Sequence, residues 1–79
     1  YPQVLQNVAV IEKPDLAGLE AVQQAIADAQ TQLGDRGRVL VRYSGTQAVC
    51  RVMVEGPSDE VARESCRAIA LAVERVIGE

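Results

Sequence analysis

The residues best suited to chemistry in this sequence lie in one ten-residue stretch, RYSGTQAVCR, which begins at Arg42 and ends at Arg51. Both arginines carry a permanent positive charge on a planar fork of donors, which suits a phosphate or carboxylate. Ser44 and Thr46 add hydroxyl groups, and Gly45 lets the backbone turn so that successive NH groups face one point, as a nest. The stretch therefore predicts an anion-binding loop.

A purely structural role for the same loop is equally open on spacing alone. Ser-Gly-Thr is ordinary hairpin-loop material, and arginines at strand ends are commonly just solvated. Short motifs of this kind have a high false-positive rate. The alternative is a small regulatory or interaction domain that uses the hairpin only as part of its fold.

Charge is distributed unevenly along these 79 residues, whose formal net charge is −3. Four arginines and no acidic residue lie between positions 36 and 54. One cationic spot on an acidic body favours a small anion over nucleic acid. RNA-binding sheets also use stacked aromatic residues, and only Tyr43 is near the loop. No apolar run is long enough for a membrane span, so we expect neither nucleic acid nor membrane as a partner.

The sequence has two cysteines, Cys50 and Cys66, and no histidine. Zinc sites need Cys/His quartets, so we expect no metal site and two reduced thiols in the core. The chain starts at Tyr1 and its only methionine is Met53, which leads us to expect a processed or excised piece of a longer protein. Reduced thiols and the absence of an export signal favour the cytoplasm.

Hydrophobic periodicity predicts five main elements. They are a strand over residues 4–12, where Gln6-Asn7 allows a bulge, a helix over 16–33, strands over 38–43 and 49–55, and a second helix that begins after Ser58 and ends at Gly78. Gly18 can delay the first helix, and Gly34 is well placed as its left-handed C-terminal residue. The β-α-β-β-α order predicts an α+β fold, a two-layer sandwich with a mainly antiparallel sheet and two helices on one face.

Three stretches of the sequence carry a resemblance to a known family. They are GRVLVRYSGT at 37–46, RVMVEG at 51–56, and YPQVL at 1–5 with the Asn-Val pair at 7–8. Together they resemble the C-terminal domain of the phosphoglucosamine mutases, in the α-D-phosphohexomutase superfamily. The order of elements agrees as well, so the resemblance spans residues 1–79 as one C-terminal phosphate-binding domain of a larger phosphohexose mutase.

In that family an Arg-x-Ser-Gly-Thr-Glu-Pro loop binds the substrate phosphate that is not being transferred. The resemblance implies that the phosphate ligands here are Arg42, Ser44, Gly45, Thr46 and, across the hairpin, Arg51. Gln47 stands where the family has Glu, and Ala48 stands where it has Pro.

The resemblance also implies a reaction, the interconversion of glucosamine 6-phosphate and glucosamine 1-phosphate. That reaction passes through a phosphoserine enzyme and a bisphosphorylated sugar, with Mg²⁺ as cofactor. The family's serine, metal and sugar-selecting loops belong to earlier domains. We therefore expect this chain to contain no catalytic residue and no cofactor of its own, and to be inactive in isolation. Its expected partners are a phosphosugar substrate and the other domains of the enzyme.

Overall fold

The computed structural model describes residues 1–78. Three strands and two main helices occur along the chain in the predicted β-α-β-β-α order. They are β1 (Gln3–Ala9), α1 (Glu20–Leu33), β2 (Arg38–Tyr43), β3 (Val49–Glu55) and α2 (Asp59–Ile77), with short 3₁₀ segments at Leu16–Gly18 and Gly34–Arg36. The predicted α+β sandwich is confirmed, and the bounds predicted for β2 and β3 are those observed.

The sheet has the strand order β1-β3-β2, and both pairs of neighbouring strands are antiparallel. The five residues between β2 and β3 close a hairpin, whereas β1 reaches the other edge of β3 only because α1 crosses over the sheet. Pairing of β1 runs without interruption from Gln3 opposite Glu55 to Ala9 opposite Val49. The bulge allowed by Gln6-Asn7 therefore does not form.

The first strand ends three residues earlier than predicted, at Ala9 instead of Glu12. Its last partner is Val49, the first residue of β3, so no strand remains to pair with residues 10–12. The NH of Val10 instead donates to the carbonyl of Ala48 at 2.9 Å. Val10 also forms an isolated bridge with Gly78, beyond the end of α2. After β1 the chain is therefore held by two contacts of Val10, one with the hairpin loop and one with the residue that follows α2.

The first helix starts late, as the position of Gly18 predicted. The side chain of Asp15 accepts a hydrogen bond from the NH of Ala17 at 3.1 Å and starts a 3₁₀ turn, and regular α-helix begins only at Glu20. Gly34 ends the helix with φ 59° and ψ −139°. The positive φ matches the prediction, but ψ lies outside the left-handed helical region and the chain continues as a 3₁₀ turn.

The core lies between the sheet and the two helices. Its fully buried members come mainly from β3 and α2, and each buried Val or Ile side chain contributes about 1.5–3 kcal/mol. The largest are Val10, Val22, Cys50, Val52, Val54, Cys66, Ile69, Val73 and Ile77. Both cysteines are free thiols in this core, as predicted. The helical spacing of the apolar residues predicts Val76 in the buried stripe of α2, with Ile69, Val73 and Ile77. Val76 is instead 41% exposed, since it falls toward one edge of the line through the other three.

The opposite face of the sheet carries no helix, and its side chains form three rows across the strands. In the order β1, β3, β2 the rows are Gln3–Glu55–Arg38, Leu5–Met53–Leu40 and Asn7–Arg51–Arg42. An apolar row thus lies between two polar ones, and only the last row, next to the hairpin loop, contains two arginines. We call this surface the open face. Within residues 1–78, no helix combines the length and apolar character needed to cross a bilayer.

Candidate functional site

The two arginines predicted to bind an anion are direct cross-strand partners. Arg42 in β2 pairs with Arg51 in β3, so both side chains project from the open face, in the row nearest the loop. Both are exposed, and the hydrogen bonds found among residues 1–78 do not involve either guanidinium group. Like charges directly opposite one another destabilise a sheet. This pair is therefore unfavourable for the fold unless an anion lies between the two groups.

A shallow depression of about 260 Å³ adjoins this pair. Arg42 and Arg51 line one part of it, and the apolar row of the open face lines the rest, through Leu5, Leu40 and Met53. The depression can accept a ligand that has an anionic end beside a less polar body. Its lining contains no acidic residue from the part of the chain that the structure describes.

Ser44 opens the loop and is 8% exposed. Its NH donates to the carbonyl of Val49 at 2.8 Å, which closes the hairpin. Its Oγ accepts a hydrogen bond from the NH of Thr46 at 3.3 Å. A hydroxyl that accepts one bond still has its own proton to donate, so Ser44 can serve an anion without losing this contact.

Gly45 and Thr46 are exposed at the tip of the loop together with Gln47. Among the residues that the structure describes, only Gly34 has a positive φ, so Gly45 does not use the left-handed conformation. A nest that depends on that conformation is therefore not formed at Gly45. A Cβ atom built on Gly45 would meet nothing within 4 Å. Neither backbone strain nor packing in this domain requires glycine here, which leaves the close approach of a ligand as a reason for it.

The two residues that depart from the family motif take little part in the hydrogen bonds found among residues 1–78. Ala48 contributes its carbonyl to Val10, and proline has the same carbonyl. Gln47 is exposed, and neither residue's NH group is a donor in the hydrogen bonds found among residues 1–78. Alanine in place of proline thus adds no backbone hydrogen bond to the loop among residues 1–78.

Sequence reasoning missed a third cation beside the loop. Lys13 Nζ donates to the backbone carbonyl of Ser44 at 2.7 Å, and the hydroxyl of Tyr43 donates to the carbonyl of Pro14 at 2.6 Å. Burial raises the pKa of Tyr43, with the nearby charges of Cys50, Asp15 and Glu12 adding to it, so its hydroxyl remains a donor. The residues in contact are about thirty apart in sequence, and no local pattern around Lys13 signals the interaction.

Comparison with known proteins identifies the family. The family model of the phosphoglucomutase/phosphomannomutase C-terminal domain matches residues 5–72, which include the loop, both hairpin strands and most of β1. The chain belongs to this family. Within it, the phosphoglucosamine mutase of Syntrophobacter fumaroxidans is 58% identical over 78 residues, 99% of this chain and 17% of that protein. The phosphoglucosamine mutase of Protochlamydia amoebophila is 46% identical over 78 residues, with the same coverage.

Solved structures of the same family share the fold of this domain. A structure of Aspergillus fumigatus N-acetylphosphoglucosamine mutase in complex with GlcNAc-6P and magnesium matches with a TM-score of 0.73 and 29% identity, over 94% of this chain and 15% of that one. Another structure of that enzyme, described as an antifungal target, matches with a TM-score of 0.77 and 28% identity over the same shares. This family domain therefore spans only 17% of the length of the bacterial relatives named above.

Among residues 1–78, no three carboxylate or thiol side chains come together in a way that could hold a metal ion. Asp59 and Glu60 lie in the first turn of α2, where negative charge complements the helix dipole and Ser58 Oγ accepts from the NH of Val61 at 3.2 Å. Their position is explained by the start of this helix.

Proposed function

We propose that this chain is the C-terminal domain of a phosphoglucosamine mutase, in which it holds the phosphate group that is not being transferred. The observation that carries the proposal is the direct pairing of Arg42 with Arg51 beside the Ser44–Thr46 loop. These arginines, Ser44, Gly45 and Thr46 are the proposed ligands. The substrate is a hexosamine phosphate, interconverted between its 6- and 1-phosphate forms in the cytoplasm by the full-length enzyme.

The electrostatics of the open face support this role. Its loop end has an uncompensated pair of cations, whereas at the other end Arg38 faces Glu55. A phosphate placed between Arg42 and Arg51 removes their mutual repulsion and accepts forked hydrogen bonds from each. The pair therefore gains most from a ligand with at least two negative charges.

In the proposed reaction, this domain binds the substrate and does not make or break its bonds. Binding energy at a remote phosphate can orient the sugar so that its other end meets the reacting groups. Since a bisphosphorylated intermediate must present each phosphate in turn, the site has to contact phosphate and tolerate either end of the sugar. Under this proposal Mg²⁺ and the phosphorylated serine are supplied by other domains of the same enzyme.

Titration of the ¹⁵N-labelled chain with inorganic phosphate and with glucosamine 6-phosphate tests the site directly. We expect saturable shifts at residues 44–48 and at the side chains of Arg42 and Arg51. The R42A variant should lose most of this response, while R38A, which removes an arginine from the far end of the same face, should keep it. Amides 44–48 that remain silent, or equal losses in both variants, would refute the proposed site.

A chimera tests the role in catalysis. The matching 78 residues of the Syntrophobacter fumaroxidans enzyme, to which this chain is 58% identical, are replaced by this chain. We expect conversion of glucosamine 6-phosphate to glucosamine 1-phosphate to be retained, and R42A in the chimera to lower kcat/KM by about 10²-fold or more, through lost binding to a charged group. An R42A chimera as active as its parent would contradict the proposal.

A second candidate function is the non-catalytic interaction domain left open by the sequence, and the exposed apolar row favours it. Leu5 is 61% exposed and Leu40 is 46% exposed, and both lie on the open face beside Met53. Such a row, bordered by polar residues, resembles the centre of a small protein interface. The NMR titration separates the two functions, because an interaction domain predicts no response to phosphate at the loop.

A further inference from the structure

One segment outside the proposed phosphate ligands contacts the loop at its first residue. This segment, residues 11–15, comes directly after β1 and Val10, and its Lys13 is the only lysine in the sequence. The ammonium group of Lys13 reaches 31 positions along the chain to the carbonyl of Ser44, at 2.7 Å and in a partly buried position. A hydrogen bond from a charged donor is shorter and stronger than a neutral one.

Two further contacts fasten the same region. The hydroxyl of Tyr43 donates to the carbonyl of Pro14 at 2.6 Å, next to the lysine contact. At the other end of the loop, the NH of Val10 donates to the carbonyl of Ala48 at 2.9 Å. The loop is therefore tied at both ends to the chain that leaves β1, and the residues between these ties are exposed.

The position of Ser44 is fixed through both of its backbone polar groups. Its NH is held by Val49 and its carbonyl by Lys13, so the backbone that carries the hydroxyl is fixed, and Oγ itself accepts from the NH of Thr46. Without Lys13, the partly buried carbonyl would lose its partner and the loop would have to be ordered by the ligand. Ordering a loop on binding lowers affinity, because its conformational entropy is lost at that moment.

We propose that Lys13 is a positioning residue for the phosphate-binding loop, which it keeps ordered before the ligand arrives. This inference rests on the proposed function, since it concerns the same site. Lys13 acts through the carbonyl of Ser44 and not through contact with the phosphate. Its role requires a donor that can reach this carbonyl, which arginine also supplies and methionine does not.

Three variants of the 79-residue chain test the inference, with inorganic phosphate as the probe in an NMR titration. K13M should bind phosphate roughly three- to tenfold more weakly, as expected for one charge-assisted hydrogen bond, and its 44–48 amides should broaden before phosphate is added. K13R should restore most of the affinity and the sharp signals. R36M removes the same charge beyond the far end of β2 and should match the wild type.

Raising the salt concentration distinguishes a positioning role of Lys13 from simple attraction between its charge and the phosphate. If Lys13 acted only as a distant charge, the loss in K13M would disappear at about 0.5 M salt and the free loop would stay sharp. That result would overturn the inference, as would a K13M chain that binds phosphate as tightly as the wild type while R42A does not. If R42A also binds normally, it is the proposed function that fails.

The wild-type chain gives an independent readout that needs no variant. The ¹⁵Nζ signal of its single lysine should show an ammonium group protected from exchange with water and in contact with Ser44. An ammonium signal that exchanges freely and shows no contact with the loop would overturn the inference even if K13M failed to fold.

Discussion

At the end of the sheet where β2 begins, Arg38 lies opposite Glu55; at the hairpin end, Arg42 lies opposite Arg51. The first pair is compensated within the domain: a hydrogen bond from Gln3, at 3.0 Å, and the charge of Arg38 hold the pKa of Glu55 below its usual range. The second pair has no such compensation among the described residues. At one end of these two strands the charges are balanced within the domain, and we call it the closed end. At the other end, an external anion would be needed to balance the charges of the two arginines.

The glycines at the two ends differ in the same way. A Cβ atom on Gly37, just before β2, would lie 2.1 Å from the carbonyl oxygen of Glu55, whereas one on Gly45 would meet nothing within 4 Å. The fold itself requires glycine at the first position and does not at the second. Packing within the domain explains why residue 37 is glycine. Packing does not explain the glycine at position 45, for which the approach of a ligand is the better explanation.

The largest effect on stability is expected at the closed end. Replacing Gly37 with Ala should lower the free energy of unfolding by about 2–3 kcal/mol, because the atoms that a Cβ would strike belong to the backbone of Glu55 and Gly56 and cannot swing aside. Urea unfolding measures the change. G18A is the matched control and should stay within about 0.5 kcal/mol, since its Cβ has free space. A similar loss in both variants would show that the contact with Glu55 and Gly56 is not the cause of the loss in G37A.

The two ends should also differ in their response to pH. Tyr43 and Cys50 form the last pair beside the loop, and burial raises the pKa of both. Groups that resist deprotonation in the folded state stabilise it fully below their unfolded pKa, about 8.5 for Cys and 10 for Tyr, and lose that contribution as pH rises. Glu55 has a lowered pKa, so its contribution is present above about pH 4.3 and is lost as pH falls.

Urea unfolding between about pH 3 and 11 tests both limbs. We expect the free energy of unfolding to fall above about pH 8.5 and, more weakly, below about pH 4.3. C50A should make the alkaline fall shallower without removing it, because burial also raises the pKa of Tyr43 and of Cys66. E55Q should flatten only the acidic limb. Stability that stays constant from about pH 8 to 10.5 would show that burial at the loop end does not control ionisation there.

Removing one of the paired arginines should stabilise the free domain while it abolishes phosphate binding. R51T relieves the like-charge repulsion with Arg42 and should raise the free energy of unfolding by about 0.2–1 kcal/mol at low salt. R38T, its counterpart at the closed end, should lower it by a similar amount through the loss of its partner. If R51T destabilised the chain, the arginine pair would be part of the fold and not of a site.

The smallest effect on stability is expected at the loop tip. G45A should change the free energy of unfolding by no more than about 0.5 kcal/mol, yet it should weaken phosphate binding because its methyl group occupies the space where a ligand would approach. Thermal unfolding and the phosphate titration, on one sample, measure both quantities. A decrease of more than about 1 kcal/mol in the free energy of unfolding would show that the fold itself requires glycine at position 45.

Much of this fold was predictable because its signals are local. Alternation in residues 38–43 and 49–55 indicated both hairpin strands, and the 3.6-residue period indicated both helices. Gly18 marked a delayed helix start through its backbone flexibility, and Ser58 marked a helix start through the hydroxyl that accepts a hydrogen bond from the NH of Val61. The pairing of Arg42 with Arg51 could be expected from the hairpin alone, since the residues that close it lie between them.

The remaining features depend on contacts between distant parts of the chain. The end of β1 is set by where β3 begins, forty residues away from Ala9, and the exposure of Val76 depends on which side of α2 faces the core. No pattern in the residues around Lys13 or around Ser44 indicates the contact between them. For the same reason the conformation of Gly45 could not be foreseen, because its sequence context also suits a left-handed turn.

The last turn of α2 has a mechanical consequence for the loop. The carbonyl of Ile77 accepts a hydrogen bond from the NH of Ile11 at 2.9 Å, and Gly78 bridges to Val10. Val10 and Ile11 lie shortly before Lys13 in the chain. The end of this helix is therefore joined by backbone contacts to the segment that secures Ser44, so a displacement of the last turn of α2 would be passed on to the loop.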